Sequence, residues 1–386
     1  MIRIYGLAVR ATAMKIETLA IQSTLMPDAN AGAVVPPIYL STTFEREADG
    51  SYKHDYVYSR ADNPNRKLLE NSLAVLENGA VALAFASGMA ATTALFQALK
   101  SGDHLIVPND AYYSTSILIS EVFAQWGLQM TKVDMTDIQQ IKSAIQPNTK
   151  LIWIETPSNP ELKITDIEAT ANLAHEHGVI LAVDNTWATP IMQRCLDLGA
   201  DVVMHSTTKY FGGHSDALSG ALIFKEAGAL SEKIRIIQKL TGAVPSPFDC
   251  WLITRGIKTL PLRVKAQTET AMKLSEYLSQ HPQIEAVHYP GLSLHPQHEI
   301  AKRQMTGGFG GMLSVQIKGD AKNAMAVTGR LKLFTTATSL GGVESLIEHR
   351  KSVENAESPT PENLLRISVG LENVEDLIED WRVALQ

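Results

Sequence analysis

A chain of 386 residues with 45% hydrophobic and 19% charged residues, and with 25 Gly and 17 Pro spread along it, has the make-up of a folded protein of two unequal domains. That balance excludes a disordered or fibrous chain. Lys and Arg number 34 against 41 Asp and Glu, a formal charge of −7 at pH 7, and the cations are scattered singly, which argues against a polyanion-binding surface and so against nucleic acid.

Taken in chain order, Met1–Ala13 carry two arginines and no continuous apolar stretch, so they read as a short extension ahead of Met14, not as an export signal. Residues 1–60, which include Pro36 and Pro37, read as an N-terminal arm. Residues 61–245 read as a large domain, and residues 246–386 as a small one. From Lys67 to Ile223, apolar runs of strand length alternate with amphipathic stretches, the pattern of α/β proteins. Strands are predicted at Ala80–Ala86, His104–Pro108, Leu151–Glu155, Ile180–Val183, Val202–His205 and Ala221–Phe224, several apolar on both faces as buried, mostly parallel strands are. Helices are predicted at Ile138–Ile145 and at Ile164–His177, the second stopped by Gly178. After residue 245 the pattern becomes α+β: a long helix over Phe248–Ser279, strands at Gly311–Ile317 and Leu364–Val369, and an amphipathic helix over Val374–Leu385. Cys195 and Cys250 are too few for a disulfide framework or a four-ligand zinc site, which suits the cytoplasm. No run of about 20 apolar residues offers a membrane span.

In open α/β sheets ligands gather at the carboxyl ends of the strands. Three apolar runs lead there into polar residues: Thr156-Pro157-Ser158-Asn159-Pro160, Asp184-Asn185-Thr186, and Ser206-Thr207-Thr208-Lys209. A carboxylate, an amide and a lysine on one rim suit a charged heterocycle. Ser87-Gly88-Met89-Ala90-Ala91 opens a helix, where free N–H groups beside a hydroxyl make an anion site, although small residues after a strand are also commonly just a tight turn. Lys209 is, taken singly, an ordinary surface cation; delivered by an apolar strand to that rim, it becomes an amine whose pKa is lowered, as Schiff-base chemistry requires. Asp184 is either a helix cap or the partner that keeps a pyridine nitrogen protonated. His175 and His177, two apart on a helix, share no face and make a poor metal pair. His295 and His298, in a Pro-containing loop, read as surface residues, and the glycines around Phe309 do not form a dinucleotide fingerprint.

Together these segments, with Tyr58-Ser59-Arg60, Ser339-Leu340-Gly341-Gly342 and Arg366-Ile367-Ser368-Val369-Gly370, make the chain resemble, from about Glu17 to its end, the pyridoxal-phosphate enzymes of cysteine and methionine metabolism. These are the cystathionine γ-synthase, γ-lyase and β-lyase family of fold type I. The resemblance implies an aspartate-aminotransferase-like fold, with a large mostly parallel sheet domain and a smaller α+β C-terminal domain. It implies pyridoxal 5'-phosphate carried on Lys209, which would also move protons. Asp184 would face the pyridine nitrogen, and Tyr112 would stack on the ring and assist proton transfer. Ser87, Gly88, Met89, Ser206 and Thr208 would hold the phosphate, and Tyr58 and Arg60 would reach the phosphate of a neighbouring subunit. The active site would then need a homodimer, and a homotetramer is the usual assembly. Arg366 would clamp the substrate α-carboxylate, with Asn159 beside the cofactor and the substrate, and Ser339 and Glu344 on the substrate side.

The chain also departs from the family's pattern. Tyr112-Tyr113-Ser114-Thr115-Ser116-Ile117 stands where many relatives have Tyr-Gly-Gly followed by an arginine for the distal end of cystathionine; Val57 replaces a frequent acid, and Asn65 a usual Thr. Arg350 is either a solvated loop charge or a replacement for the missing distal arginine. The leading expectation is a carbon–sulfur lyase of transsulfuration acting by β- or γ-elimination. The alternative is a γ-replacement transferase, and a more remote one a noncatalytic descendant of the fold.

Overall fold

The computed structural model describes residues 2–4, 7–9, 14–28, 30–354 and 358–386. Strands β1 (Ile2–Ile4) and β2 (Leu7–Val9) pair antiparallel, and the remainder of the expected extension Met1–Ala13 lies outside the described residues. Residues 30–60 contain no helix and, of strand structure, only the bridge between Thr43 and Tyr58.

A seven-stranded sheet follows. It comprises β3 (Val81–Phe85), β4 (His104–Pro108), β5 (Gln129–Val133), β6 (Thr149–Glu155), β7 (Ile180–Asp184), β8 (Val202–His205) and β9 (Gly220–Phe224), in the spatial order β3-β9-β8-β7-β6-β4-β5. Neighbours from β8 to β5 are parallel, and β9 runs antiparallel between β3 and β8. Strands β4, β8 and β9 are buried throughout, which is why their sequences are unbroken apolar runs. The edge strand β5, Gln-Met-Thr-Lys-Val, is partly exposed, and its polar side chains hid it from the sequence pattern. The helix expected from Ile164 starts at Ile167, because the Asp166 side chain accepts the Ala169 N–H at 3.1 Å and fixes the start there. The long helix expected over Phe248–Ser279 is two helices, Pro247–Ile257 and Leu260–Ser279, with Pro261 in the first turn of the second, where a missing N–H costs nothing.

The second sheet comprises β10 (Ile284–His288), β11 (Met312–Ile317), β12 (Thr335–Thr336), β13 (Leu346–His349) and β14 (Leu364–Ser368), in the order β10-β11-β14-β13-β12, antiparallel except for β12 with β13. The helices Leu260–Ser279 and Val374–Ala384 pack together, the latter burying Trp381. One apolar core, from Leu69 and Ile152 through Tyr210 and Val264 to Leu313, Ile367 and Trp381, joins both sheets. A second core fills the other face of the large sheet, with Phe96 set edge-on to Trp153 at 5.6 Å. Fixed strand ends on one side and a second sheet on the other thus frame a cleft. Among the described residues no helix is long and apolar enough to cross a membrane.

Candidate active site

The carboxyl ends of β6, β7 and β8, the start of the helix Gly88–Gln97 and residues of the second sheet enclose a cavity of about 400 Å³. Lys209, four residues past the end of β8, donates from Nζ to Ser339 Oγ at 2.7 Å. The Ser339 carbonyl accepts from Arg366 Nη2 at 3.1 Å, and Asn159 Oδ1 accepts from Nη1 at 3.1 Å. Strand β14 and the loops after β6 and β8 therefore meet through Ser339 and Asn159. Burial brings the Lys209 amine down to about 8; Arg366 and Arg350 push the same way and Glu348 opposes them. An amine at that value is partly unprotonated near neutrality and so is a nucleophile.

Asp184 ends β7. Its carboxylate accepts the Thr186 N–H at 3.0 Å and the Thr186 hydroxyl at 2.5 Å. Burial raises its pKa and those two donors oppose the rise. Glu155, its register partner at the end of β6, is pushed well above the carboxylate range by burial and then by Asp184. It accepts the Tyr112 N–H at 2.8 Å. Two adjacent buried carboxyls do not both ionise freely: Asp184, with two donors, keeps the charge, and Glu155 keeps the proton. Tyr112 itself stands on the cavity wall.

The Ser87 side chain accepts the Ala90 N–H at 3.1 Å and so caps the helix Gly88–Gln97. Gly88 and Met89 occupy its first turn, where N–H groups lack helical partners. A Cβ on Gly88 would sit 2.9 Å from Ser206 Cβ, and one on Gly220 would sit 2.3 Å from the Ser87 carbonyl oxygen. The two glycines allow β9 and the Ser206 loop to close around this turn as a cradle. Thr208 lines the cavity, but its hydroxyl donates to the Ser219 carbonyl at 3.0 Å and accepts the Ser219 N–H at 2.9 Å.

Three expected residues lie elsewhere. Tyr58 and Arg60 line a separate hollow with Lys67, Arg235 and Lys239; the Arg60 guanidinium donates to the Lys239 carbonyl at 2.6 Å and lies over the Tyr58 ring. Glu344, expected on the substrate side, is bonded by the Ser215 hydroxyl and is absent from the cavity wall; its carboxylate folds back over Gly342, into the space a Cβ there would fill. The solvated reading of Arg350 is corrected, for its side chain is buried, lines the cavity and is ion-paired to Glu348 and Glu354. His295 is likewise buried, and desolvation brings it down to about 4. Sequence reasoning missed Glu348, the buried acid bonded to Arg366, and Trp187, whose ring lies 5.9 Å from the Arg366 guanidinium. An acid directly after the apolar pair Leu346-Ile347 was the one available signal.

Residues 17–386 match the family described as Cys/Met metabolism PLP-dependent enzyme. The chain belongs to this family. It is 47% identical over 374 residues to a cystathionine gamma-synthase of Mycobacterium tuberculosis, covering 95% of this chain and 96% of that one. It is 43% identical over 379 residues to a cystathionine beta-lyase of Coxiella burnetii, covering 96% and 97%. The crystal structure of a cystathionine gamma-lyase from Lactobacillus plantarum complexed with L-serine superposes with a TM-score of 0.92 at 41% identity, covering 96% and 98%. As in the rest of the family, the cofactor is pyridoxal 5'-phosphate, and the donor set fits it. A cradle drawn close around a helix start by Gly88 and Gly220 suits a phosphate, an anionic Asp184 suits a pyridinium, and an amine depressed to about 8 suits an aldehyde carbon.

Proposed function

We propose that the protein breaks a carbon–sulfur bond of cystathionine or a related thioether amino acid by β- or γ-elimination. The observation that carries the reading is the junction at Ser339, where the Lys209 amine and the Arg366 guanidinium meet at the cavity wall. An amino acid held there by its carboxylate presents its α carbon to the lysine. The relatives named above all carry cystathionine in their names, which supports the substrate class.

Pyridoxal phosphate, when bound, supplies an electron sink that stabilises negative charge on the substrate's α carbon. Gly88, Met89 and Ser206 would hold the phosphate, Ser87 shapes that turn as its cap, and Thr208 braces it through Ser219. Asp184 would pair with the ring nitrogen, and Tyr112 would stack on the ring from a position that the Glu155 carboxyl fixes. Asn159 and Ser339 keep the Arg366 guanidinium oriented for the α-carboxylate. Lys209 takes the proton from Cα; then, as an ammonium, it and the Tyr112 phenol are the acids that protonate a departing sulfur. Tyr58 and Arg60, absent from their own chain's cavity, serve the phosphate of a second copy, which makes a homodimer the working unit and a homotetramer the expected assembly. Cys195 and Cys250, buried and unpaired, support a cytoplasmic setting.

A second reading, γ-replacement on an activated homoserine ester, is favoured by the 47% identity to the synthase. Product analysis separates the two. From cystathionine alone, pyruvate with homocysteine marks β-lysis and 2-oxobutyrate with cysteine marks γ-lysis. New cystathionine from an acylhomoserine plus cysteine marks replacement, and no product from either mixture sinks both readings.

A further inference from the structure

Two guanidiniums converge on one buried carboxylate at the cavity wall. Glu348 of β13 is the direct cross-strand partner of Arg366 of β14. Its Oε1 bonds Arg366 Nη2 and also Arg350 Nη1, the latter at 3.2 Å. All three side chains are buried, and Glu348 Oε2 has no hydrogen-bond partner among the described residues. Glu354 pins Arg350 through Nε at 2.6 Å and is itself held by the hydroxyls of Ser358 and Thr360. Arg350 and Arg366 line the Lys209 cavity.

Because both guanidiniums bond the same oxygen, their donor nitrogens are separated by no more than two hydrogen-bond lengths, roughly 6 Å. A thioether amino acid with two carboxylates carries them at opposite ends of its chain, so in extended form one seated on Arg366 places the other away from Arg350. Two like charges this close repel in a buried site, and a shared anion on a rigid strand offsets the repulsion and fixes both planes.

We propose that Glu348, Arg350 and Arg366 form one charge-compensated clamp for the substrate α-carboxylate, with Arg350 as its second cationic arm and Glu348 as the positioning residue. The proposal rests on the amino-acid substrate given above and deepens it: Arg350 reads the end that every amino acid shares. The clamp also sets the charge around Lys209. The groups facing that amine are Arg366 from β14, Glu348 from β13 and Arg350 from the turn after it, with Asp184, Glu155 and Tyr112 on the remaining walls.

The test titrates holoenzyme with L-alanine, which has no distal group, and separately with cystathionine, following the visible absorption of the bound cofactor as a direct binding signal. Arg350→Ala is expected to weaken both ligands by a similar factor, about 10-fold or more, as for a lost charge-assisted hydrogen bond. Arg350→Lys, which keeps the charge but not the fork, should recover part of the loss. The pH midpoint of the cofactor's absorption change should fall in Glu348→Gln and rise in Arg350→Ala, each by about one unit, an opposition that simple damage to the fold does not produce. Unchanged L-alanine binding alongside weakened cystathionine binding makes Arg350 a distal reader and overturns the proposal, as do midpoints that stay put or move together. If Arg350→Ala does not retain cofactor, Arg350→Lys carries the test, and L-alanine affinity equal to wild type overturns the clamp. A wild-type enzyme whose spectrum responds to L-alanine but which lyses no thioether loses the proposed reaction and keeps the clamp.

Discussion

At Lys209, burial and the two arginines bring the amine to about 8, and this sets where it reacts. The unprotonated fraction grows as pH rises, so the rate at which apoprotein takes up added pyridoxal phosphate should climb with pH and level off above about 8; a rate still climbing towards pH 10 indicates an unperturbed lysine. Lys209→Ala should cut turnover by between about 10²- and 10⁴-fold, the range of a lost general base, as read by oxo-acid release. Glu155 gives a subtler expectation. A neutral carboxyl that accepts the Tyr112 N–H is well imitated by an amide. Glu155→Gln should therefore leave cofactor affinity nearly intact, whereas Glu155→Ala should weaken it by about 10-fold because a backbone donor loses its acceptor; equal losses in the two variants mean that the charge of Glu155 matters. That Lys209, Asp184 and Arg366 share one cavity was legible because each follows, ends or sits in an apolar strand within a recognisable motif. Glu348 was not, since its meaning lies in its partner across the sheet, eighteen residues along the chain, and a single sequence does not display strand pairs.

The elements around the cradle are held by contacts too close for side chains. Gly220→Ala would thrust a methyl group to 2.3 Å from the Ser87 carbonyl oxygen and should cost about 1–3 kcal/mol as an overpacked site, seen as a lower Tm together with weaker cofactor binding. Gly329, in the helix Ala321–Arg330, has nothing within 4 Å of a built Cβ. There the same substitution should add roughly 0.5–1 kcal/mol of stability through helix propensity, seen as a higher Tm. If both variants melt alike, the cradle is not tightly packed. The element reading succeeded where burial on both faces leaves unbroken apolar runs, as in β4, β8 and β9. It failed for β5, β10 and the two-residue β12, where exposure or shortness dilutes the pattern, and for the buried β13, where Glu348 and His349 interrupt it.

At the scale of the molecule, the cavity lies where two sheets share one core, while Tyr58 and Arg60 sit apart from it on the same chain. Mixing inactive Lys209→Ala subunits with inactive Arg60→Ala subunits should restore turnover if Arg60 serves a neighbour's phosphate, since one composite site then has both residues intact. No recovery from subunits proven to exchange assigns Arg60 to its own chain. The α/β alternation and the places of six of the seven large-sheet strands were readable from apolar periodicity, but the antiparallel insertion of β9 was not, because periodicity carries no direction. That insertion has a consequence for a chain emerging from the ribosome. Strand β3 is made early yet pairs only with β9, more than a hundred residues later, and β14, central to its sheet, is made more than a hundred residues after β9. A growing chain therefore holds Lys209 and the cradle residues before it holds Arg366, so the seat for the substrate carboxylate is the later part of the pocket to form.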